Sequence, residues 1–240
     1  NMYVLITRQL EQSKKFSSVL EKHNIKNFIL PVISIKYLKL KNVDIKRIEK
    51  SDFIIFTSQN SVASLMKTLS KKDFVGKNIA AIGRATKKIL GDYKIKVNIS
   101  PEENFTSESL LKEIKRNKII NKKIIIIKGV GGRDHLHKRL SIDNMVFEDV
   151  ESYERRLPDN LNDFHSFTFK GITHICITSI DILNNFKKTC DILDFDILKN
   201  IIFVSGNQRI ATAVKKSFPT NKILISLNPT NEEMLNTILN

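Results

Sequence analysis

FTSQNSV, residues 56–62, follows the apolar run FII, and ITSIDIL, residues 177–183, follows HIC 121 positions later. Twice a short β-branched run ends in Thr-Ser and then opens a stretch of helical period. Thr and Ser fill little core volume, but their hydroxyls accept hydrogen bonds from the unpaired N–H groups of a helix's first turn. A strand that passes through Thr-Ser into a helix reads as the carboxyl end of a βα unit.

The same punctuation recurs along the chain. YVLIT, FIIFT, IAAIG, KIIIIK, HICIT, IIFVS and KILIS are short, rich in Ile and Val, and end in or beside small residues. Continuous apolar runs of this length suit parallel strands buried on both faces. Helical periodicity occupies 10–22, 61–69, 85–90, 107–114, 134–140, 182–190, 209–218 and 232–239. The alternation predicts an α/β fold with parallel sheets flanked by helices.

An internal repeat organises these units. Residues 3–8 match 124–129, Thr57-Ser58 matches Thr178-Ser179, Ile82-Gly83 matches Ser205-Gly206, and NFTSESL at 104–110 matches NPTNEEM at 228–234. Thr57 to Gly83 is 26 residues and Thr178 to Gly206 is 28; the next steps, Gly83 to Thr106 and Gly206 to Thr230, are 23 and 24. Preserved spacing over both steps predicts two similar α/β lobes.

Composition narrows the function classes. With 240 residues, 41% hydrophobic and 27% charged, the chain can bury a real core. No apolar run approaches the roughly 18 residues of a membrane span, and no basic segment leads into a signal-length apolar stretch. The expectation is a cytoplasmic protein without membrane contact, and a monomer. The net charge of +15 admits a polyanionic partner. Because the lysines are scattered and no basic-aromatic patch or recognition helix appears, nucleic acid is not expected. Two cysteines make neither a disulfide framework nor a metal set.

Familiar catalytic motifs are missing: GxSxG, HExxH and CxxC do not occur. KGVGGRDHL, residues 128–136, has the flavour of a dinucleotide loop, but its sixth position is Asp134 where the pattern needs Gly, and no GK[ST] follows. Flexible glycines in a turn, with Arg133 towards a crevice, explain it better. His135 and His137 flank Leu136 and point apart on a helix, as surface residues do. Chemistry without cofactor or metal is the expectation. In open parallel sheets ligands sit beyond the carboxyl ends of the strands. All the repeated motifs fall there, each either an ordinary cap or part of an anion-holding surface.

Taken in order, VLITR at 4–8, FTSQNSV at 56–62, AAIGRAT at 80–86, PEENFTSESLL at 101–111, IIKGVGGRDHL at 126–136, ESYERR at 151–156 and VSGNQRIATAV at 204–214 resemble the uroporphyrinogen-III synthase family over nearly the whole chain. Gln9 stands where the family usually has Pro, Ile180-Asp181 replaces a small-residue continuation, and the usual Gly near Phe218 is absent.

The resemblance implies a discontinuous lobe one of residues 1–33 plus 156–240, lobe two of 38–150, and extended linkers near 32–38 and 150–156 that give a hinge. It implies a lyase that cyclises hydroxymethylbilane, a linear tetrapyrrole with eight carboxylates, with inversion of ring D. It also admits transient contact with the preceding pathway enzyme. Substrate binding is then expected at Thr57, Ser58, Asn60 and Ser61, at Gly83, Arg84 and Thr86, at Thr106 and Ser107, and at Thr178, Ser179, Ser205, Gly206 and Arg209. Tyr153, facing the cleft from a linker, is the expected catalytic residue, able to give a proton to the departing hydroxyl; packing against a lobe is its alternative role. A two-lobed module that binds an anionic small molecule without transforming it is the competing function.

Overall fold

The computed structural model describes residues 1–100, 107–117, 119, 122–131, 136–138, 145–166, 168 and 170–240. In chain order the elements are β1 (Tyr3–Ile6), α1 (Leu10–Lys22), β2 (Lys26–Ile29), β3 (Ser34–Tyr37), α2 (Asn42–Glu49), β4 (Phe53–Phe56), α3 (Gln59–Leu65), β5 (Asn78–Ala81), α4 (Arg84–Asp92) and α5 (Ser107–Arg116). Then follow β6 (Ile124–Gly129), β7 (Phe147–Arg156), β8 (His174–Ile177), α6 (Ile180–Ile192), β9 (Ile202–Ser205), α7 (Gln208–Ser217), β10 (Lys222–Ile225) and α8 (Asn231–Leu239). Residues 136–138 are helical; the rest of the helix expected over 134–140 lies outside the described residues.

The chain forms two compact units, one of Asn1–Ser34 with Arg156–Asn240 and one of Ile35–Arg155. Unit one holds a five-stranded sheet of order β10-β9-β8-β1-β2, and unit two a five-stranded sheet of order β3-β7-β6-β4-β5. The ladders joining β10, β9, β8, β1 and β2 are parallel, as are those joining β7, β6, β4 and β5. With β1 set against β6 and β8 against β4, the two orders coincide over four strands, β2-β1-β8-β9 and β7-β6-β4-β5, and β3 has no counterpart. In the place of β10 unit two has a single parallel bridge, Ala80 to Ile99. The Thr-Ser repeat therefore has a topological counterpart.

Burial explains the uninterrupted apolar runs. In β1, Leu5 packs into one core cluster while Val4 and Ile6 pack into another on the opposite face. In β4, Ile54 and Phe56 face one cluster and Phe53 and Ile55 the other. Helices cover both faces, so no position on these strands is left for a polar residue.

Four elements lie outside the expected set. β2 and α2 carry mixed polar sequences, KNFI and NVDIKRIE, with few fully buried residues. The segments read as linkers are ladder strands: Leu38 N–H donates to Ser152 O at 2.9 Å, and β7 continues parallel to β6 from Phe147 to Tyr153. Val150, Ser152 and Tyr153 are at most 1% exposed. The charged residues of FEDVESYERR hide a half-buried strand. Its alternation breaks at Ser152-Tyr153 because the register with β6 shifts between Lys128 and Gly129.

Candidate functional site

Ser58 follows β4 and caps α3. Its Oγ accepts from Ser61 N–H at 3.2 Å, and Ser61 Oγ accepts from Ser58 N–H at 3.2 Å and donates to Ser58 O at 2.6 Å. The extended backbone of Ser58, φ −162° and ψ 164°, aims the hydroxyl at the helix start. Thr57 ties this turn to the neighbouring strand, its N–H and Oγ1 both donating to Ile127 O at 3.2 and 3.0 Å. Asn60 lies partly buried in the first turn.

Tyr153 joins the same turn from β7. Its Oη is 2.8 Å from Ser58 Oγ and accepts from Arg155 Nη2 at 3.0 Å, while the Arg155 guanidinium carbon lies 5.2 Å from the ring centroid. Tyr153 is 1% exposed, and these polar partners all belong to unit two. Space for it comes from Gly129: a Cβ there would stand 2.8 Å from both Cε2 and Cζ of Tyr153. The glycine run thus has two physical roles, since Gly131 adopts φ +67° in the turn while Gly129 yields room to a ring. Gly132, Arg133 and His135 lie outside the described residues.

Hydroxyl bookkeeping gives the network a direction. Arg155 can only donate, so it fills an acceptor position on the phenol oxygen. The single proton between Tyr153 and Ser58 then points either way along the 2.8 Å contact. When Tyr153 donates, Ser58 Oγ accepts from both Ser61 and Tyr153, and its own proton is free for a third group. Ser58 is partly buried where Tyr153 is closed off. Nearby, Tyr37 has its phenol pKa raised, mainly by burial and then by the neighbouring Tyr93 and Tyr153.

The other expected residues of unit two sit one strand over. Ile82 N–H donates to Phe56 O at 3.0 Å, bringing the end of β5 beside the end of β4. Gly83 caps α4 with φ +90°, a conformation that favours glycine; Thr86 is buried and Arg84 exposed. Ser107 begins α5, and Thr106 lies outside the described residues.

Unit one repeats the construction without the phenol. Ser179, φ −156° and ψ 164°, caps α6 by accepting from Ile182 N–H at 3.1 Å, and Thr178 precedes it. Gly206 N–H donates to Ile177 O at 3.0 Å. A Cβ on Gly206 would stand 2.9 Å from Pro229 Cβ and 3.3 Å from Thr178 Cα, so this glycine serves close approach. Ser205 is fully buried with no hydrogen-bond partner for its Oγ among the described residues, and Arg209 is exposed on the first turn of α7. A groove of about 480 Å³ lined by Gln208, Thr212, Lys215 and Ile225 contains none of these residues.

Several side chains of consequence escape the sequence reading. Asn207 caps α7, its Oδ1 accepting from Ile210 N–H at 3.0 Å. Arg155 completes the Tyr153 network. Arg8, at the carboxyl end of β1, donates from Nη1 to Asn231 Oδ1 at 2.9 Å. His137, expected on the surface, is partly buried with Nε2 2.7 Å from Asp149 Oδ1 and its ring edge-on to Phe147. Among the described residues no group of three or more His, Cys, Asp and Glu is placed to hold a metal, and no helix is long and apolar enough to cross a membrane.

Comparison with known proteins adds the remaining finding. The family model described as uroporphyrinogen-III synthase HemD matches residues 14–236. A Methanocaldococcus jannaschii protein named "Putative uroporphyrinogen-III synthase" is 29% identical over 219 residues, covering 90% of this chain and 89% of its own. A crystal structure of uroporphyrinogen-III synthetase from Helicobacter pylori aligns over 100% of this chain and 99% of its own, with TM-score 0.72 and 19% identity. A mutant uroporphyrinogen III synthase from Thermus thermophilus aligns over 100% and 98%, with TM-score 0.60 and 12% identity. At those identities the two structures speak for the fold.

Proposed function

Starting from the chain's membership of the uroporphyrinogen-III synthase family, which the match over residues 14–236 shows, we propose that it cyclises hydroxymethylbilane to uroporphyrinogen III. The family match along nearly the whole chain is the observation that carries this reading; the sheets and the Tyr153 network supply the chemistry.

In this reaction the terminal hydroxyl departs with a proton as water and leaves an azafulvenium cation. Ring D closes on it through its substituted carbon, passes through a spiro intermediate and ends inverted. The net change is the loss of one water, because the proton given to the departing hydroxyl is balanced by the one that the free α-carbon of ring D releases on closure; the protein's task is positioning plus the passage of one proton out and one back. Tyr153 and Ser58 suit the second part. Because the phenol is enclosed, the proton reaches the leaving hydroxyl from Ser58 Oγ, which Tyr153 reprotonates through their 2.8 Å contact. Arg155, fixed on the phenol oxygen, stabilises the charge that develops there during transfer.

Positioning falls to the strand ends. Thr57, Asn60, Ser61, Gly83, Arg84, Thr86, Thr106 and Ser107 in unit two, and Thr178, Ser179, Ser205, Gly206 and Arg209 in unit one, are the proposed substrate contacts. Backbone N–H groups and exposed cations at such ends favour carboxylates by about 0.3 to 1 kcal/mol each. The net charge of +15 draws an octaanionic substrate towards the molecule. A carboxylate-holding module that performs no reaction would share the binding half of this account but not the proton relay.

The test is the isomer formed. Hydroxymethylbilane is generated in situ by its own synthase, this protein is added, and the oxidised uroporphyrins are separated by chromatography. The expected result is a predominance of type III. Type I alone, from folded protein, overturns the reading.

A further inference from the structure

Among the described residues Arg8 is a cation without a counter-ion. It leaves β1 at the carboxyl end, where its carbonyl accepts from Ser13 Oγ at 2.7 Å and holds the turn into α1. Its guanidinium folds against unit one: Nη1 donates to Asn231 Oδ1 at 2.9 Å, and Nε is buried without a hydrogen-bond partner. Among the described residues no carboxylate lies within ion-pair distance of it.

The surroundings offer no internal solution. Burial lowers the guanidinium's pKa, with the nearby Cys176 acting in the opposite direction. Burial also pushes that thiol up to about 12, so it stays neutral and supplies no negative charge. The acids of the first turn of α8, Glu232 and Glu233, do not reach the guanidinium, and the Glu233 N–H is taken by Thr230 Oγ1 at 3.4 Å. Arginine does not shed its proton to escape the cost of leaving water. Structural arginines are instead held by carboxylates, and one left without them at a ligand-facing strand end is open to an outside anion.

We propose that Arg8, with Asn231 beside it, is a carboxylate-binding position of unit one. It takes one alkyl carboxylate of a small polyanionic ligand. The planar fork matches a carboxylate's two oxygens, and Asn231, whose Oδ1 is occupied by Arg8, still has its amide N–H groups to donate. Identifying that carboxylate with a side chain of the tetrapyrrole rests on the function proposed above; binding of a carboxylate here does not.

The experiment is thermal unfolding of the whole chain in citrate against sodium chloride of equal ionic strength. It compares wild type, Arg8→Gln, Asn231→Asp and Lys188→Gln, the last removing the same unit charge from an exposed helix face. Citrate is expected to raise the wild-type Tm above the chloride control. Arg8→Gln is expected to raise Tm in chloride, because an unpaired cation is gone, and to weaken the apparent citrate affinity at least about tenfold. Asn231→Asp sets a carboxylate of the chain itself against the guanidinium, so it too should raise Tm in chloride and lose the citrate response. Lys188→Gln should keep the response. The proposal is overturned if wild type shows no citrate response, if Arg8→Gln keeps it, or if Lys188→Gln loses as much. Should Arg8→Gln fail to fold, a wild-type citrate response in Asn231→Asp overturns it equally. Failure of the isomer test leaves these outcomes unaffected.

Discussion

Arg8 and Gly129 stand near the carboxyl ends of corresponding strands, one residue apart in register, in two sheets that share an order over four strands. Each stands at the carboxyl end of the strand that adjoins the Thr-Ser strand, β1 beside β8 and β6 beside β4. In unit two the missing side chain admits the Tyr153 ring, which reaches across to Ser58. In unit one the corresponding strand end carries a guanidinium that reaches Asn231, and among the described residues Ser179 keeps its capping role. Two copies of one scaffold thus carry different groups at corresponding strand ends, the proposed proton relay in one and the proposed carboxylate position in the other. Strand order and capping geometry are shared because they follow from burial and helix starts; the single residues at strand ends are free to diverge.

The contrast can be broken most sharply at the phenol. Tyr153→Phe keeps the ring in its place and removes the proton, so turnover should fall by about a hundredfold or more while the isomer formed stays type III. Rates and product chromatography on the purified variant check this. Unchanged turnover would reduce Tyr153 to a packing residue.

Next in size are the glycines. Gly129→Ala drives a Cβ against ring carbons 2.8 Å away, and the ring cannot retreat without leaving Ser58 and Arg155. A loss of about 1–3 kcal/mol in chemical denaturation is expected, as for other overpacked sites. Gly206→Ala should cost a similar amount for a different reason, its Cβ meeting Pro229 at 2.9 Å.

The two caps sharpen the comparison further. Ser179→Ala should lose about 1 kcal/mol, an ordinary capping value. Ser58→Ala should lose roughly 1 kcal/mol more, because it also strands the Tyr153 hydroxyl. A double-mutant cycle of Ser58→Ala with Tyr153→Phe should recover that coupling, and the same cycle with Ser179→Ala should show none.

A final contrast appears at alkaline pH and is absent near neutrality, since only unit one carries thiols. Burial raises Cys176 from 9.0 to about 12, and burial with the nearby Asp191 does the same for Cys190. The folded protein holds these protons where the unfolded chain has released them. Stability contributed by the neutral thiols is therefore full below pH 9.0 and declines as pH rises towards about 12. Cys176→Ala should flatten that decline in denaturation measured between these limits.

Much of this fold could be read directly. Runs such as FIIF and HICI are buried on both faces, and such strands have little choice but continuous apolar sequence. β7 was hidden by its charges: FEDVESYERR keeps one face wet, and the bulge opposite Lys128 and Gly129 then buries Ser152 and Tyr153 in succession. The caps at Ser58 and Ser179 follow from their motifs, but the enclosure of Tyr153 depends on a glycine more than twenty positions away in sequence. Arg8 was plain in VLITR, yet its interest lies in the want of a carboxylate partner among the described residues, which is visible only when the neighbours are placed.

The division of roles between equivalent strand ends is tested most directly by steady-state kinetics on Tyr153→Phe and Arg8→Gln assayed side by side with hydroxymethylbilane. The expected result is a fall in kcat with little change in KM for Tyr153→Phe, and a rise in KM with kcat nearly kept for Arg8→Gln. Movement of the same parameter in both variants would contradict the account.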